Sequence, residues 1–383
     1  MQEKTFGEDL DFLRQHVETI VLANDQGSQI VVVPDYQGRT MTSTSTGLSG
    51  NSYGYLNYDA IATDQHDPQI NLYGGEDRMW ISPEGGQYSV FFDPGAPMEY
   101  AHWRTPAVLD TEPFDLTQQN ERSVSFTKRA SLVNWSNFRF QVQMDRQVVL
   151  LDRESACEHL GLELDRLSLV AHESHNTLTN TGESTWQPET GLIGIWMLCM
   201  NKPSPQATLL VPFEPGPVDQ LGPCVNADYF GKLDSSRLVV DDKAGLIFFL
   251  GDGNLRSKLG LTFQRVRPLL GSWDPQRGVL SVVQFNLPSE APNGYNNNLW
   301  QHQDDPYSGD VINAYNDGPN ESGGQLGGFF ELETISPALA LQPQQSYTHI
   351  HRTIRLEGDR EALAVVARKI FGVSLDEIES KFG

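Results

Sequence analysis

The chain has 383 residues, of which 38% are hydrophobic and 10% aromatic, enough for a packed core and not the composition of a disordered protein. Its formal charge of −23 excludes a nucleic-acid partner, because no local cluster of Lys and Arg offsets the repulsion from phosphates. No apolar run approaches the ~20 residues of a membrane span, so no membrane partner is expected.

The opening Met-Gln-Glu-Lys-Thr is unlike a secretory leader, which makes the cytoplasm the default expectation, and the periplasm or exterior the alternative if a leader has been removed. Thr5 and Glu8 have capping-box spacing, and Leu10, Leu13 and Val17 follow on one face, which predicts an N-terminal helix. Ile20–Ala23 and Gln29–Val33 flank Asn24-Asp25-Gln26-Gly27 and read as a hairpin. Leu238-Val239-Val240 and Leu246–Leu250 read as a second strand pair, and Val279–Phe285 as a strand after the turn Asp274-Pro275-Gln276-Arg277-Gly278. Tyr347 to Leu356 alternates with a period of two, which predicts one apolar-leaning and one charged face. Asp359 then predicts a helix cap, with Leu363, Val366 and Ile370 facing inward and Gly372 as the stop. Ser374 and Glu377 open a last short helix.

Helical signals are therefore confined to the two ends, and with no helical crossovers the strands should be mainly antiparallel. No period repeats, which excludes a propeller or solenoid. The expectation is one unit spanning 1–383, a mainly β, two-sheet antiparallel sandwich with short N- and C-terminal helices, the latter an appendage over 358–383. The stretches 40–60, 90–122 and 286–328, rich in Gly, Asn, Pro and Asp, read as long, function-bearing loops. Cys157, Cys199 and Cys224 are too few for a disulfide framework and match no zinc spacing, and Cys199 reads as a packed core thiol.

The densest chemical signal is Tyr73-Gly74-Gly75-Glu76-Asp77-Arg78-Met79-Trp80-Ile81-Ser82-Pro83-Glu84-Gly85-Gly86. Paired glycines allow close backbone approach, and an arginine beside an aromatic plane suits a ligand with a polar rim and an apolar face, such as a sugar. The same spacing equally fits a strand-edge turn with a buried tryptophan and Arg78 paired to Asp77.

Three passages together carry a family resemblance: Ile20 to Thr42, ending in Gln37-Gly38-Arg39; Gly74 to Pro83; and Phe330-Glu331-Leu332-Glu333-Thr334-Ile335-Ser336-Pro337 with Leu341 to Tyr347. On these the chain resembles the galactose mutarotase-like (aldose 1-epimerase-like) superfamily, and more closely a bacterial branch of it. The resemblance implies a β-supersandwich with a ligand groove on the concave face of the larger sheet. It points to Arg78 as the arginine that binds the sugar ring and to Glu331 or Glu333 as the general base. It also implies a groove-facing cation, which points to Lys258. The superfamily's histidine acid sits in an Asn-His-x-Tyr-Phe-Asn-Leu motif. This chain has none, and the comparable place reads Pro188-Glu189-Thr190-Gly191-Leu192-Ile193-Gly194-Ile195-Trp196-Met197.

Anomer exchange needs a base at the C1 hydroxyl and an acid at the ring oxygen, each within ~2.6–3.2 Å of its atom. Glu331 and Glu333, two apart in a strand, should share a face. His102, in a loop and beside Trp103, is the preferred acid. His172 and His175 fall on opposite faces of a strand. His349 and His351 share a face with Thr353 and Arg355 that reads as solvated. Glu76, Asp310 and Asn313 are expected to bind ligand hydroxyls, and Trp80 and Trp196 to stack. No metal and no cofactor are expected, since Asp304, Asp305 and Asp310 lack an EF-hand spacing. The function these residues suggest is binding of a mono- or oligosaccharide, with aldose 1-epimerase-type activity through a Glu base. The alternative is a carbohydrate-cleaving lyase or hydrolase. Oligomeric state is left open.

Overall fold

The computed structural model describes residues 4–63, 65–227, 229–319 and 323–382. Two β-sheets dominate. The longer has ten strands in the order Leu238–Asp241, Leu246–Leu250, Thr208–Pro212, Leu269–Asp274, Val279–Phe285, Ser346–Gly358, Leu167–Asn180, Arg139–Leu151, Ser123–Val133 and Asp115–Gln119. The second has six, in the order Ser257–Leu261, Ile312–Asn316, Phe330–Ile335, Gly194–Leu198 and Arg78–Ser82, with Met200–Asn201 also paired to Phe330–Ile335. Ile20–Ala23, Gln29–Val33 and Arg39–Thr44 form a separate three-stranded sheet. The pairings are antiparallel throughout, as the lack of crossover helices requires. The predicted strands all form, with bounds shifted by at most a few residues at their ends.

Three of the four apolar clusters among the described residues hold these layers. The largest fills the space between the two big sheets, with Leu332, Ile195, Met197, Leu259 and Ile312 from the six-stranded sheet meeting Val142, Val170, Leu178 and Val283 from the ten-stranded one. The second lies on the outer face of the longer sheet, where Leu363, Val366, Phe371, Leu375 and Ile378 of the C-terminal helices Arg360–Phe371 and Leu375–Glu379 cover Phe248, Leu280 and Leu356. The third packs the N-terminal helix Phe6–His16 on the three-stranded sheet. The predicted caps form: Thr5 with Glu8 and Ser374 with Glu377 make capping boxes, and Asp359 caps its helix.

Two expectations are corrected. Helices are not confined to the ends, because Arg153–Leu160 forms a two-turn helix capped by Asp152 and stopped by Gly161. Its apolar positions are too few for the periodicity to stand out, and only Ala156 and Leu160 are buried. The long loops also carry structure: Tyr58–Ala62, Ala107–Asp110, Asp115–Gln119 and Ile312–Asn316 lie within or at the end of them. Part of the last loop, 320–322, lies outside the described residues, as do 1–3 and 383 of the expected 1–383 unit.

The strand Ser346–Gly358 alternates as predicted, but its polar face points inward. His349, His351, Thr353 and Arg355 are all buried between the sheets. There they meet polar groups of the six-stranded layer. Thr334 Oγ1 lies 2.8 Å from His349 Nε2 and 3.0 Å from His351 Nδ1, Cys199 Sγ lies 3.2 Å from His351 Nε2, and Arg355 pairs with Glu76 at 3.0 Å. Asp77 pairs with Arg146 at 2.5 Å and accepts from Ser174. Burial is affordable here because nearly every charge has a counter-charge. The apolar face of the strand is the one that the C-terminal helices cover.

Candidate functional site

Antiparallel register puts directly opposed residues on one face of a sheet. In the six-stranded sheet Arg78 opposes Leu198 and Trp80 opposes Trp196. Lys258 opposes Tyr315, Tyr315 opposes Glu331, and Asn313 opposes Glu333. The face turned away from the longer sheet therefore gathers Arg78, Trp80, Trp196, Lys258, Asn313, Tyr315, Glu331 and Glu333. Contacts tie them together. Arg78 Nη2 lies 3.2 Å from Glu331 Oε1, and the Arg78 guanidinium carbon lies 4.5 Å from the Trp80 ring centre. Lys258 Nζ lies 3.1 Å from Glu333 Oε2, which also accepts the Trp196 indole N–H at 2.9 Å. Tyr315 donates to Asp317 at 2.6 Å and accepts from Arg256 Nε at 3.1 Å.

Glycine 260 shows why the sequence folds this way locally. A Cβ there would sit 2.1 Å from Asp310 Oδ2 and 2.5 Å from Asn313 Nδ2, so the bare backbone lets both side chains lie over the strand. Asp310 accepts from Asn226 at 2.7 Å and from the Tyr229 hydroxyl. Tyr229 also covers Lys258, whose ammonium lies 5.8 Å from its ring centre. From the other side Glu84 follows the arginine strand. Its amide is held by Asn298 Oδ1 at 2.8 Å, and its carbonyl accepts from Ser89 Oγ at 2.5 Å. The Arg78 and Glu331 side chains are 4% and 6% exposed, so this face is closely covered, and it belongs to the smaller, six-stranded sheet rather than to the larger sheet on which the resemblance placed the groove.

Enclosure sets the electrostatics. Burial pushes the Glu331 carboxyl up to about 8, with Arg78 pulling it down and Glu333 adding to the rise. Burial likewise pushes Glu84 up to about 7, against the pull of Lys258 and with Glu333 again raising it. Asp310 is raised by burial against its bonds from Tyr229 and Asn226. Glu84 differs from the others in position: it is half-buried, whereas Asp310, Glu331 and Glu333 are buried. Glu84 was not singled out from sequence, where Pro83-Glu84-Gly85-Gly86 reads as an ordinary turn. The signal available was its place just after the strand that carries Arg78 and Trp80.

Two of the sequence-derived residues lie elsewhere. Glu76 is fully buried between the sheets, paired to Arg355 and 3.7 Å from His172 Nε2. The strand begins only at Arg78, after Gly74 and Gly75 at φ of 94° and 108°, so the alternation that would put Glu76 beside Arg78 does not extend back to it. His102 lies in the short turn Tyr100–His102. Among the described residues it makes no hydrogen bond or ion pair with the carboxylates. Its neighbour Trp103 packs against Trp80, with ring centres 6.3 Å apart. Arg78 is paired to Glu331 rather than to Asp77, whose partner is Arg146.

The model of a family described as "Family of unknown function (DUF6786)" matches residues 4–382. No curated protein sequence matches. Among solved structures, a provisionally assigned aldose 1-epimerase from Escherichia coli K12 aligns at TM-score 0.52 and 12% identity, covering 89% of this chain and 99% of that one. A galactose mutarotase-like protein from Lactobacillus casei ATCC 334 aligns at TM-score 0.46 and 11% identity, covering 89% of this chain and 100% of that one. The fold is therefore galactose mutarotase-like, as the sequence resemblance implied.

Proposed function

Since this chain belongs to the DUF6786 family, whose description names no activity, we propose from the site itself that the protein binds a saccharide and interconverts its anomers. The observation that carries this reading is the joining of Arg78, Trp80 and Trp196 with two strand-mounted carboxyls, Glu331 and Glu333, on one enclosed sheet face. Arg78 Nε and Trp80 Nε1 have no hydrogen-bond partner among the described residues, which leaves two donors for ligand hydroxyls. Indole and guanidinium planes suit the apolar face of a pyranose.

In the reaction a carboxylate takes the proton of the C1 hydroxyl, the C1–ring oxygen bond breaks to give an open aldehyde, and an acid protonates the ring oxygen. Rotation about C1–C2 and reclosure yield the other anomer. Glu333, ion-paired to Lys258 and bonded to Trp196, is the base in this reading. Glu331, held by Arg78, binds a ring hydroxyl. Lys258 serves Glu333 rather than an anionic group of the sugar. The whole chain is taken as one domain that carries one such site.

The test is proton NMR of freshly dissolved α-anomers of D-glucose, D-galactose and other neutral aldoses, with a thermal-shift screen of the same sugars. Exchange faster than in buffer alone, and weaker binding by Arg78→Ala, are expected. No exchange across the panel removes the epimerase reading. A second reading, glycoside cleavage, needs two carboxyls ~5–9.5 Å apart, and the observation that favours it is that Glu331 and Glu333 share one strand face. Release of reducing ends from oligosaccharides in the same assay would favour it.

A further inference from the structure

We propose that Glu84 is the second proton carrier of this site, the group that protonates the ring oxygen while a strand glutamate deprotonates the C1 hydroxyl; this rests on the anomer-exchange reading above. Anomer exchange needs an acid, and His102, the residue that sequence suggested, makes no hydrogen bond or ion pair with the site's carboxylates among the described residues. Glu84 meets four requirements independently.

The first is position. Glu84 sits immediately past the strand Arg78–Ser82, and Lys258, Glu333 and Arg256 all act electrostatically on its carboxyl. It thus lies within electrostatic reach of the proposed base and of the cation that pairs with it. The second is rigidity. Its amide and carbonyl are both fixed, by Asn298 and Ser89. Gly85 next to it is pressed on the Leu299–Trp300 backbone, where a Cβ would lie 2.5 Å from Leu299 O and 2.7 Å from Trp300 Cδ1. The backbone that carries the carboxyl is thus held in place.

The third is freedom to exchange a proton. Glu331 is bound to Arg78 and Glu333 to Lys258, and Asp310 is bound by Asn226 and Tyr229. Among the described residues Glu84 makes no ion pair, and only the Trp300 side chain is set to hydrogen-bond it. The fourth is protonation: the Glu84 residue as a whole is half-buried, but its carboxyl is enclosed. Its enclosure, which lifts the carboxyl to about 7, keeps a useful fraction protonated at neutral pH. The step balances. Glu84 gives its proton to the ring oxygen as the C1–O bond breaks, the C1 hydroxyl proton passes to the strand carboxylate, and reclosure returns both protons. Nothing is oxidised or reduced.

The experiment is NMR anomer exchange of α-D-glucose and α-D-galactose by wild type, Glu84→Gln, Glu84→Asp and Glu331→Gln from pH 5 to 9. Calorimetric sugar binding and thermal midpoints are measured alongside. The expected result is a rate that falls as pH rises through about 7 in the wild type, as Glu84 loses its proton. Glu84→Gln should lose about a hundredfold or more and lose that limb, with binding and midpoint near wild type, and Glu84→Asp should recover part of the rate and the limb. Unchanged exchange in Glu84→Gln overturns this role and leaves the epimerase reading standing. A limb that survives in Glu84→Gln but disappears in Glu331→Gln assigns the acid to Glu331 and overturns it equally. Sugar binding with no exchange in any protein, wild type included, overturns the epimerase reading and the role of Glu84 with it.

Discussion

Lys258 and Glu333 form one of the two enclosed ion pairs of the candidate site, with side-chain exposures of 10% and 1%. Taken singly, neither partner can be lost cheaply. Lys258→Met should lower unfolding free energy by about 3–5 kcal/mol, because Glu333 is left in the interior with the Trp196 N–H as its remaining donor. Replacing both, Lys258→Met with Glu333→Leu, should recover most of that loss. Urea denaturation of the three variants checks this, and a double variant no more stable than the single one would show that the pair is not what holds this face together. Residue identity made part of the site legible. Arg78, Trp80, Trp196, Lys258, Asn313, Glu331 and Glu333 stand on one face because strand alternation is a property of sequence. Glu84 was not legible, since its importance comes from a turn that folds back over a sheet, and sequence periodicity says nothing about what a turn covers. Glu76 misled for the opposite reason: the two-residue spacing to Arg78 carries meaning only inside a strand, and the strand starts after it.

At the scale of the element, the strand Ser346–Gly358 carries the clearest consequence. Its alternation is plain in the sequence, but alternation cannot tell water from a polar interior, and a face of His, His, Thr and Arg reads as solvated until the opposing layer is seen. That layer supplies Glu76, Asn201, Cys199 and Thr334. Burial holds His349 down at about 3 and His351 at about 4, and also lowers His172. Free histidine titrates near ~6.5. Between those values the unfolded chain binds protons that the folded chain refuses, so stability should be complete above about pH 6.5 and decline steadily as pH falls toward 4. Asp77, lowered by Arg146 and the histidines despite its burial, extends the decline below its ordinary range. Urea midpoints at pH 7, 5.5 and 4.5 measure the slope. A midpoint that stays level across that range would mean that these imidazoles take up protons without unfolding the protein. The C-terminal helices were legible to the residue at their caps, because a capping box is a local signature that needs no tertiary partner.

For the molecule as a whole, −23 formal charges impose self-repulsion that the fold must outweigh. The interior ion pairs are shielded from salt, while the surface acids are not. Raising ionic strength from ~0.01 to ~0.15 M should therefore raise the thermal midpoint, as the Debye length shrinks from ~30 to ~8 Å, and leave affinity for a neutral sugar unchanged. A midpoint that falls with salt would show that surface ion pairs outweigh the repulsion. The overall architecture was the most legible property of all: missing crossovers implied antiparallel sheets, and three short passages implied the supersandwich. The near-closure of the site face was not, because it depends on contacts from turns distant in sequence, such as Asn298 on Glu84 and Tyr229 on Lys258. One last consequence follows from the strand Phe330–Ile335, which shows Glu331 and Glu333 to one side and Thr334, bonded to two histidines, to the other. Inserting or deleting one residue there would turn both sides over together, driving two acids toward the imidazoles and a threonine toward the candidate site. No single substitution repairs such a swap, so the length of this segment is constrained as tightly as the residues it carries.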